Sequence, residues 1–304
     1  MTTQGFPSAA QSVPVAMLAL ATLADLRSWL AGPAAGLRGL PIEAMAISAA
    51  AISPWRSPAQ LAPTARMFVW AYALDNHMDR VATDLAELDD LLDRCRAVVR
   101  TGAPDTSHPL LSALSSCQRE LSRQPLYPAL ADLWVAKFDG DLRGCRYDWL
   151  AGRSEVDRTD VADYLAHATS ISQWISHFPM WATYGEADLL DHLDVLVAAL
   201  DDLVVAIRLV NDLATFPRES AGENENNILM YEGVTEEWVR AELVRWADSA
   251  VRRLSPLVEQ DFPPAVELIR LLEWSTGFYS CGDFRGWGSD APVTPATGHP
   301  PVGV

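Results

Sequence analysis

The spacing of the apolar side chains constrains the fold of this chain most, because it follows the period of an α-helix almost throughout. Between residues 238 and 254 one helical face consists of Val239, Leu243, Trp246, Ala247, Ala250 and Leu254. Thr235 is placed to cap this helix, and Glu236 and Glu237 follow where the helix dipole favours negative charge. Similar helical segments are predicted over residues 59–80, 84–100, 128–150, 156–184 and 187–216.

Breaks between these segments coincide with glycine and proline residues at 102–109, 152–154, 185, 222–227 and 256. No run of alternating apolar and polar residues is bounded by turn pairs, so a sheet is not expected. The sequence therefore predicts an all-α fold, with one helical bundle over residues 13–287. Residues 1–12 and the Gly/Pro-rich tail 288–304 are expected to be flexible.

The composition limits the partners of the chain. Its formal charge is −17, from 40 acidic and 23 basic residues, which argues against nucleic acid and anionic membrane surfaces. A small anionic substrate remains allowed if divalent cations lie between it and the carboxylates. The chain has 304 residues, of which 49% are apolar, and this is enough to bury a sizeable core.

The compartment is inferred from the cysteines and the N-terminal sequence. The four cysteines, at positions 95, 117, 145 and 281, form no CxxC pair, so a reducing cytoplasm is expected. The apolar stretch 13–23 is preceded by no Lys or Arg and is followed at once by Asp25 and Arg27. We interpret it as the first core helix, not as a signal peptide or a membrane span.

The first acidic motif follows an apolar, aromatic stretch that runs from Met67 to Leu74 within the helix predicted over residues 59–80. Asp75 and Asp79 are four residues apart and therefore share one helical face. Two carboxylates at the mouth of a core repel each other unless a cation joins them. Oxygen ligands suit Mg²⁺, which commonly binds one or two carboxylates and substrate phosphate oxygens. A solvated helix end is the alternative interpretation of this motif alone.

The second motif lies 136 residues further along the chain. Asn211, Thr215 and Glu219 repeat every four residues, so an amide oxygen, a hydroxyl and a carboxylate can bind one cation. Arg218 lies beside them and can donate to a phosphate oxygen. Pro217 is expected to kink or end this helix near Phe216.

A literal DDxxD string occurs at Asp89–Asp93, but we do not assign it to the metal site. Leu85, Leu88, Leu92 and Cys95 form the apolar stripe of this helix, which leaves the acids on the wet face. The neighbouring residues Arg94, Arg96 and Arg100 indicate ordinary surface pairing. Asp201 and Asp202 are likewise expected on a solvated face.

The two motifs resemble those of class I terpene synthases. The sequence from Asn211 to Glu219 matches the family's second metal motif, and residues 222–228 match its usual continuation. Asp75 and Asp79 are similar to its aspartate-rich motif, with Asn76 replacing an aspartate. The resemblance covers roughly residues 18–287. It implies the α-bundle of that fold, with Mg²⁺-dependent ionisation of a prenyl-type diphosphate followed by cyclisation of the carbocation.

Further expectations follow from the resemblance. Three Mg²⁺ ions would bind the diphosphate, with Arg218 and Arg285 as its basic ligands. Aromatic faces can stabilise a carbocation by about 0.5–2 kcal/mol each. The cavity candidates among the aromatic side chains are Phe68, Trp70, Trp174, Phe178 and Trp181.

The chain also departs from the family pattern. Members usually carry a diphosphate-sensing arginine upstream of the second motif, but no Lys or Arg occurs between Arg158 and Arg208. His167 and His177 are candidate substitutes, although a single histidine on a helix is more often structural. The usual C-terminal Arg-Tyr pair is Arg285-Gly286 here.

A short α-only chain without this arginine is similar to bacterial labdane-related diterpene synthases of the terpentetriene synthase type. Such an enzyme acts after a separate class II cyclase that makes a bicyclic C20 diphosphate, and the pattern is compatible with a homodimer. A sesquiterpene cyclase acting on farnesyl diphosphate and a non-catalytic helical binding protein remain alternatives. A chain-elongating prenyltransferase is disfavoured because the second motif is not aspartate-rich and Lys137 is the sole lysine.

Overall fold

The computed structural model describes residues 9–221 and 226–284. These ranges contain helices and connecting segments but no strand, which confirms the all-α prediction. The α-helices there are α1 (Ala9–Ala31), α2 (Ile42–Ile52), α3 (Pro58–Arg80), α4 (Leu85–Thr101), α5 (Pro109–Leu121), α6 (Tyr127–Gly152), α7 (Val161–Ala166), α8 (Gln173–Tyr184), α9 (Leu193–Glu219), α10 (Glu236–Val258) and α11 (Pro263–Cys281).

Several helices begin at side chains that satisfy the free backbone amides of a first turn. Ser57 and Gln60 form a reciprocal capping box at the start of α3. Asp84 accepts a hydrogen bond from the amide of Glu87 at the start of α4. The predicted cap of α10 is confirmed, because the Thr235 side chain accepts from the amide of Trp238.

The helices that carry the two acidic motifs belong to one bundle. Helix α3 packs against α1, α2, α5, α6 and α8, whereas α9 packs against α10, α11 and α8. One large apolar cluster draws on most helices and includes Trp70, Trp134, Trp174 and Trp181, all fully buried. Trp70 belongs to α3, so the helix that carries Asp75 and Asp79 packs into this cluster through a large buried side chain.

The single helix predicted over 156–184 is wrong, because the structure divides it into α7, a 3₁₀ turn (Ala168–Ile171) and α8. Ser172 has a left-handed backbone conformation with φ of 56°, which ends the 3₁₀ turn before α8 begins. Gly144 of α6 approaches so closely that an added Cβ would lie 2.5 Å from the amide nitrogen of Ser170. Because Gly144 has no side chain, α6 leaves room for the backbone of this break.

The predicted break at Pro256 is also wrong, and α9 does not end near Phe216. Helix α9 continues through Pro217 to Glu219, and α10 continues through Pro256 to Val258. A proline removes one backbone donor, but both prolines lie in the last turn. Each proline therefore costs its helix one hydrogen bond close to its end, and Glu219 stays in helical register with Asn211 and Thr215.

Helix α1 begins at Ala9, before the predicted domain start at residue 13, and residues 1–8 and 285–304 lie outside the described ranges. By length and composition, Ala10–Ala31 could cross a membrane. About 28% of this apolar window is buried, and the helix packs on α2 and α3 through buried side chains such as Leu26 and Trp29.

Candidate active site

The structure brings both acidic motifs to one cavity between α3, α6, α9 and α11, here named the polar cavity. Asp75 and Asp79 line it from α3, and Asn211, Thr215 and Glu219 line it from α9. Its other lining residues are Phe68, Ala71, Tyr72, Met78, Cys145, Asp148, Trp149, Ser170, Ile171, Ser172, Gln173, Arg208, Arg218, Asn226, Tyr279, Asp283 and Phe284. The i, i+4 spacing therefore does direct each set of oxygen donors to a shared face.

The donors of the second motif are oriented by neighbouring groups. The Thr215 hydroxyl donates to the carbonyl of Asn211 at 2.9 Å, which leaves the lone pairs of its oxygen for a cation. Buried Asn227 donates from Nδ2 to Glu219 Oε2 at 2.9 Å and to the carbonyl of Asp212 at 2.9 Å. The Glu219 carboxylate is thereby held by the segment that follows α9. Hydrogen bonds of this kind typically orient metal ligands.

Asp212 lies between the motif residues in sequence but faces away from the polar cavity. Its carboxylate accepts from the Tyr164 hydroxyl at 2.6 Å and from Arg208 Nε at 3.1 Å. Burial raises the pKa of Asp212, and the Arg208 guanidinium opposes that shift. Asp212 therefore connects α9 to α7, whereas Asn211 and Thr215 on the same helix line the polar cavity.

Arg208 is a cavity residue that the sequence analysis did not assign. Its guanidinium donates to Asp148 at 2.5 Å, to Ser170 Oγ at 2.6 Å and to the carbonyl of Asn226 at 2.7 Å. Ser170 belongs to the break before α8, so this buried cation connects α9 with the break. The signal in the sequence was the position of Arg208, one turn before Asn211 on the same helix.

Of the two predicted diphosphate ligands, Arg218 lines the polar cavity. It donates from Nη2 to Asp283 Oδ2 at 3.0 Å and to Glu219 Oε1 at 3.1 Å. The other predicted ligand, Arg285, lies outside the described residues. Asp283 and Asp148 add carboxylates that the sequence motifs did not reveal.

A second, apolar chamber adjoins the polar cavity and shares Phe68, Gln173, Tyr279 and Phe284 with it. The remaining chamber residues are Ser48, Ala49, Ile52, Thr64, Ser176, His177, Met180, Leu271, Trp274, Ser275 and Phe278. Phe284 stacks on Phe278 with ring centroids 4.2 Å apart and meets the edge of Phe68 at 5.2 Å. Aromatic rings therefore form the boundary between the polar and the apolar space.

Most of the predicted cavity aromatics require correction. Phe68 lines both spaces, but Trp70, Trp174, Phe178 and Trp181 line neither and are fully buried. The indole of Trp70 donates to the carbonyl of Leu110, and Phe178 stacks on Trp134. These rings occupy helical faces that pack against other helices, so their hydrophobic contacts are already made.

The Asp89–Asp93 string lies on the outside of α4 and pairs with arginines. Asp89 accepts from Arg146 at 2.6 Å, and the Asp90 side chain is 69% exposed beside Arg94. The prediction for Asp202 is wrong, because Asp202 is buried and accepts from Arg253 at 2.9 Å. His167 stacks on Tyr147 and does not line the polar cavity, whereas His177 lines the apolar chamber.

Comparison with known proteins identifies the family. Residues 66–253 match the family model described as "Terpene synthase family 2, C-terminal metal binding". The chain is also 51% identical over 290 residues to an ent-pimara-9(11),15-diene synthase from Streptomyces sp. (strain KO-3988), covering 93% of this chain and 97% of that protein. This chain belongs to the terpene synthase family.

The fold agrees with that of solved terpene synthases. The linalool/nerolidol synthase of Streptomyces clavuligerus superposes with a TM-score of 0.64 at 20% identity, covering 85% of this chain and 95% of that one. Isoprene synthase from grey poplar leaves, in complex with three Mg²⁺ ions and dimethylallyl-S-thiolodiphosphate, gives 0.64 at 18% identity, covering 88% of this chain and 56% of that one. The chain therefore has the class I α fold.

Membership establishes this terpene synthase as an enzyme of the lyase type with a divalent metal cofactor. The donor set fits such a metal, because both motifs present carboxylate, amide and hydroxyl oxygens to one cavity. Among the described residues, no group of three or more His, Cys, Asp or Glu is arranged to hold an ion. Metal ions at this site would consequently need amide, hydroxyl and substrate oxygens as well.

Proposed function

We propose that this terpene synthase ionises a labdane-type C20 diphosphate with Mg²⁺, cyclises or rearranges the carbocation, and releases pyrophosphate after deprotonation. One observation carries the proposal: the cavity that collects both acidic motifs adjoins an apolar chamber and shares four residues with it. A substrate with an anionic head and a hydrocarbon body needs two such spaces in contact.

The residues of the polar cavity would bind the diphosphate through metal ions. Asp75 and Asp79 would hold ions on the α3 side, and Asn211, Thr215 and Glu219 would hold one on the α9 side. The family resemblance supports three ions in all. When bound, Mg²⁺ neutralises the negative charge that develops on the leaving diphosphate. Arg218 would donate hydrogen bonds to the same oxygens, with Arg285 as the second predicted donor.

The apolar chamber would hold the hydrocarbon and exclude water. Carbocations react rapidly with water, so an enzyme that deprotonates one must keep the chamber dry. Phe68, Phe278 and Phe284 present aromatic rings there, and such rings attract a nearby cation by about 0.5–2 kcal/mol each.

The C20 substrate class is supported by the 51% identical relative, whose name is that of a diterpene synthase. A second argument is physical. The predicted sensor arginine is missing between residues 158 and 208. Without that arginine the diphosphate is held more weakly. The large, rigid body of a bicyclic C20 substrate can compensate, because its contacts with the chamber supply binding energy that the diphosphate contacts do not. An upstream class II cyclase would then supply the substrate.

The cysteines bear on the cellular compartment of the enzyme. We infer a cytoplasmic enzyme, because Cys95, Cys117, Cys145 and Cys281 are all free thiols. On the strength of the family resemblance, we also propose that the enzyme forms a homodimer. Its oligomeric state in solution, measured by sedimentation, tests this.

The test is a comparison of substrates with Mg²⁺ present. Purified enzyme is incubated with labdane-type bicyclic, geranylgeranyl and farnesyl diphosphates, pyrophosphate release is followed, and products are identified by mass spectrometry. We expect the highest kcat/KM for a labdane-type diphosphate and loss of release when EDTA replaces Mg²⁺. A clear preference for farnesyl diphosphate would overturn the diterpene proposal and favour a sesquiterpene cyclase. Binding without pyrophosphate release from any substrate would contradict the proposed reaction itself.

A further inference from the structure

One basic side chain, His177, lines the apolar chamber and has a ring nitrogen without a hydrogen-bond partner among the described residues. His177 lies in α8, is 2% exposed and lines the chamber. Its Nε2 atom is buried and has no hydrogen-bond partner among the described residues. Buried polar atoms are almost always hydrogen-bonded, because leaving one unpaired costs free energy. An imidazole that lines the chamber and has an unpaired nitrogen therefore keeps hydrogen-bonding capacity for a ligand or a reacting group.

We propose that His177 is the base that ends the reaction by removing a proton from the final carbocation. The inference rests on the proposed function, which supplies that carbocation. In either neutral tautomer one ring nitrogen of His177 carries the hydrogen, and the other keeps a lone pair that can accept a proton. This lone pair takes the proton from a carbon next to the cationic centre. The electrons of the broken C–H bond form the alkene, and the positive charge moves to the imidazolium.

The environment keeps this imidazole in its basic form before the reaction. Burial, together with the nearby Arg56 guanidinium, lowers the pKa of His177 to about 3, so the ring is neutral at physiological pH. A carbocation is a far stronger acid than an imidazolium, so transfer remains downhill even to a base weakened by burial. Arg56 itself is paired with buried Glu267, and Trp181 meets the imidazole edge-on, which limits movement of the ring.

The other polar groups of the chamber suit the role less well. Burial raises the pKa of Tyr279, which keeps its phenol protonated. The Ser176 hydroxyl donates to the carbonyl of Ser172 at 3.1 Å, and Ser48 donates to the carbonyl of Ala44 at 2.8 Å. The Thr64 oxygen is unpartnered, but a hydroxyl is a weak base. His177 is thus the strongest neutral base among the residues that line the chamber.

The test separates ionisation from deprotonation. His177→Asn keeps a polar side chain without a comparable base, and His177→Phe keeps a ring of similar size. Because ionisation depends on the polar cavity, pyrophosphate release by both variants should stay within about tenfold of wild type. The share of the main alkene should fall by roughly tenfold or more, since general bases contribute on that scale or above. Isomeric alkenes or water-captured alcohols should replace it.

Matched comparisons exclude a change of shape alone. Met180→Leu alters the same helix and chamber without touching a basic atom, and Thr64→Val removes the other unpartnered polar atom. Either variant shifting the products as strongly as both His177 variants would overturn the proposal. An unchanged product profile in His177→Asn would also overturn it, and this variant decides if His177→Phe does not fold. Absence of pyrophosphate release in the wild type would instead contradict the proposed function.

Discussion

Arg218 and Asp283 form an ion pair across the polar cavity, with Nη2 and Oδ2 3.0 Å apart. Arg218 lies in the last turn of α9, and Asp283 follows the end of α11. The same Nη2 atom also donates to Glu219 Oε1, so one cation serves a predicted metal ligand and a second carboxylate. An incoming diphosphate would compete with Asp283 for this guanidinium.

Replacing Asp283 should strengthen diphosphate binding. In Asp283→Asn, Arg218 loses a charged competitor, although the partly exposed pair is worth at most about 1 kcal/mol. We expect KM, and Ki for pyrophosphate as a product inhibitor, to fall by up to about fivefold. Arg218→Ala should raise KM and lower kcat, because charge on the leaving group grows in the transition state. Steady-state kinetics check both, and a raised KM in Asp283→Asn would contradict the competition.

The two aspartate-rich sequences should differ sharply in their effect on activity. Asp75→Ala removes a predicted metal ligand from the polar cavity, so kcat should fall roughly hundredfold or more and the Mg²⁺ requirement should rise. Asp90→Ala is the matched control, because Asp90 is an exposed residue paired with Arg94. Its kcat should stay near wild type. A Mg²⁺ titration of pyrophosphate release measures both variants, and the reverse ranking would refute the assignment of Asp75.

Asn211, Thr215 and Glu219 should act as one unit. If they share an ion, the first loss removes most of what all three contribute, so their effects should not multiply. The triple alanine variant should therefore have a kcat/KM little below that of Glu219→Ala. Single, double and triple variants measured at saturating Mg²⁺ check this. Losses that multiply across the three positions would argue for separate roles.

A buried ion pair outside the cavity should matter for stability. Arg56 and Glu267 connect the segment after α2 to α11, and their side chains are 3% and 0% exposed. Glu267→Ala leaves a buried guanidinium without its partner and should lower the free energy of unfolding by roughly 3–5 kcal/mol. The exposed pair between Arg27 and Glu43 is the control, and Glu43→Ala should cost about 1 kcal/mol or less. Urea unfolding curves of both variants test the difference, which a loss below 1 kcal/mol in Glu267→Ala would contradict.

The fold class and the placement of the motifs were predictable because they depend on local periodicity. Apolar spacing identified the helices, and the i, i+4 rule assigned Asp75 and Asp79, and separately Asn211, Thr215 and Glu219, to single helical faces. The prediction of one family from these few residues was confirmed by the comparisons. These features can be predicted from the sequence because they depend only on the geometry of a single helix.

Sequence alone thus determined an all-α terpene synthase and the two motifs whose side chains line the polar cavity. Tertiary packing decided which aromatic faces point inward: Trp70 and Trp181 pack against other helices, whereas Phe278 and Phe284, which lie beyond both motifs in the chain, line the apolar chamber. It also decided the break at Ser172 and the position of His177 at the apolar chamber. These depend on how separate helices meet, and no spacing within one helix encodes that meeting.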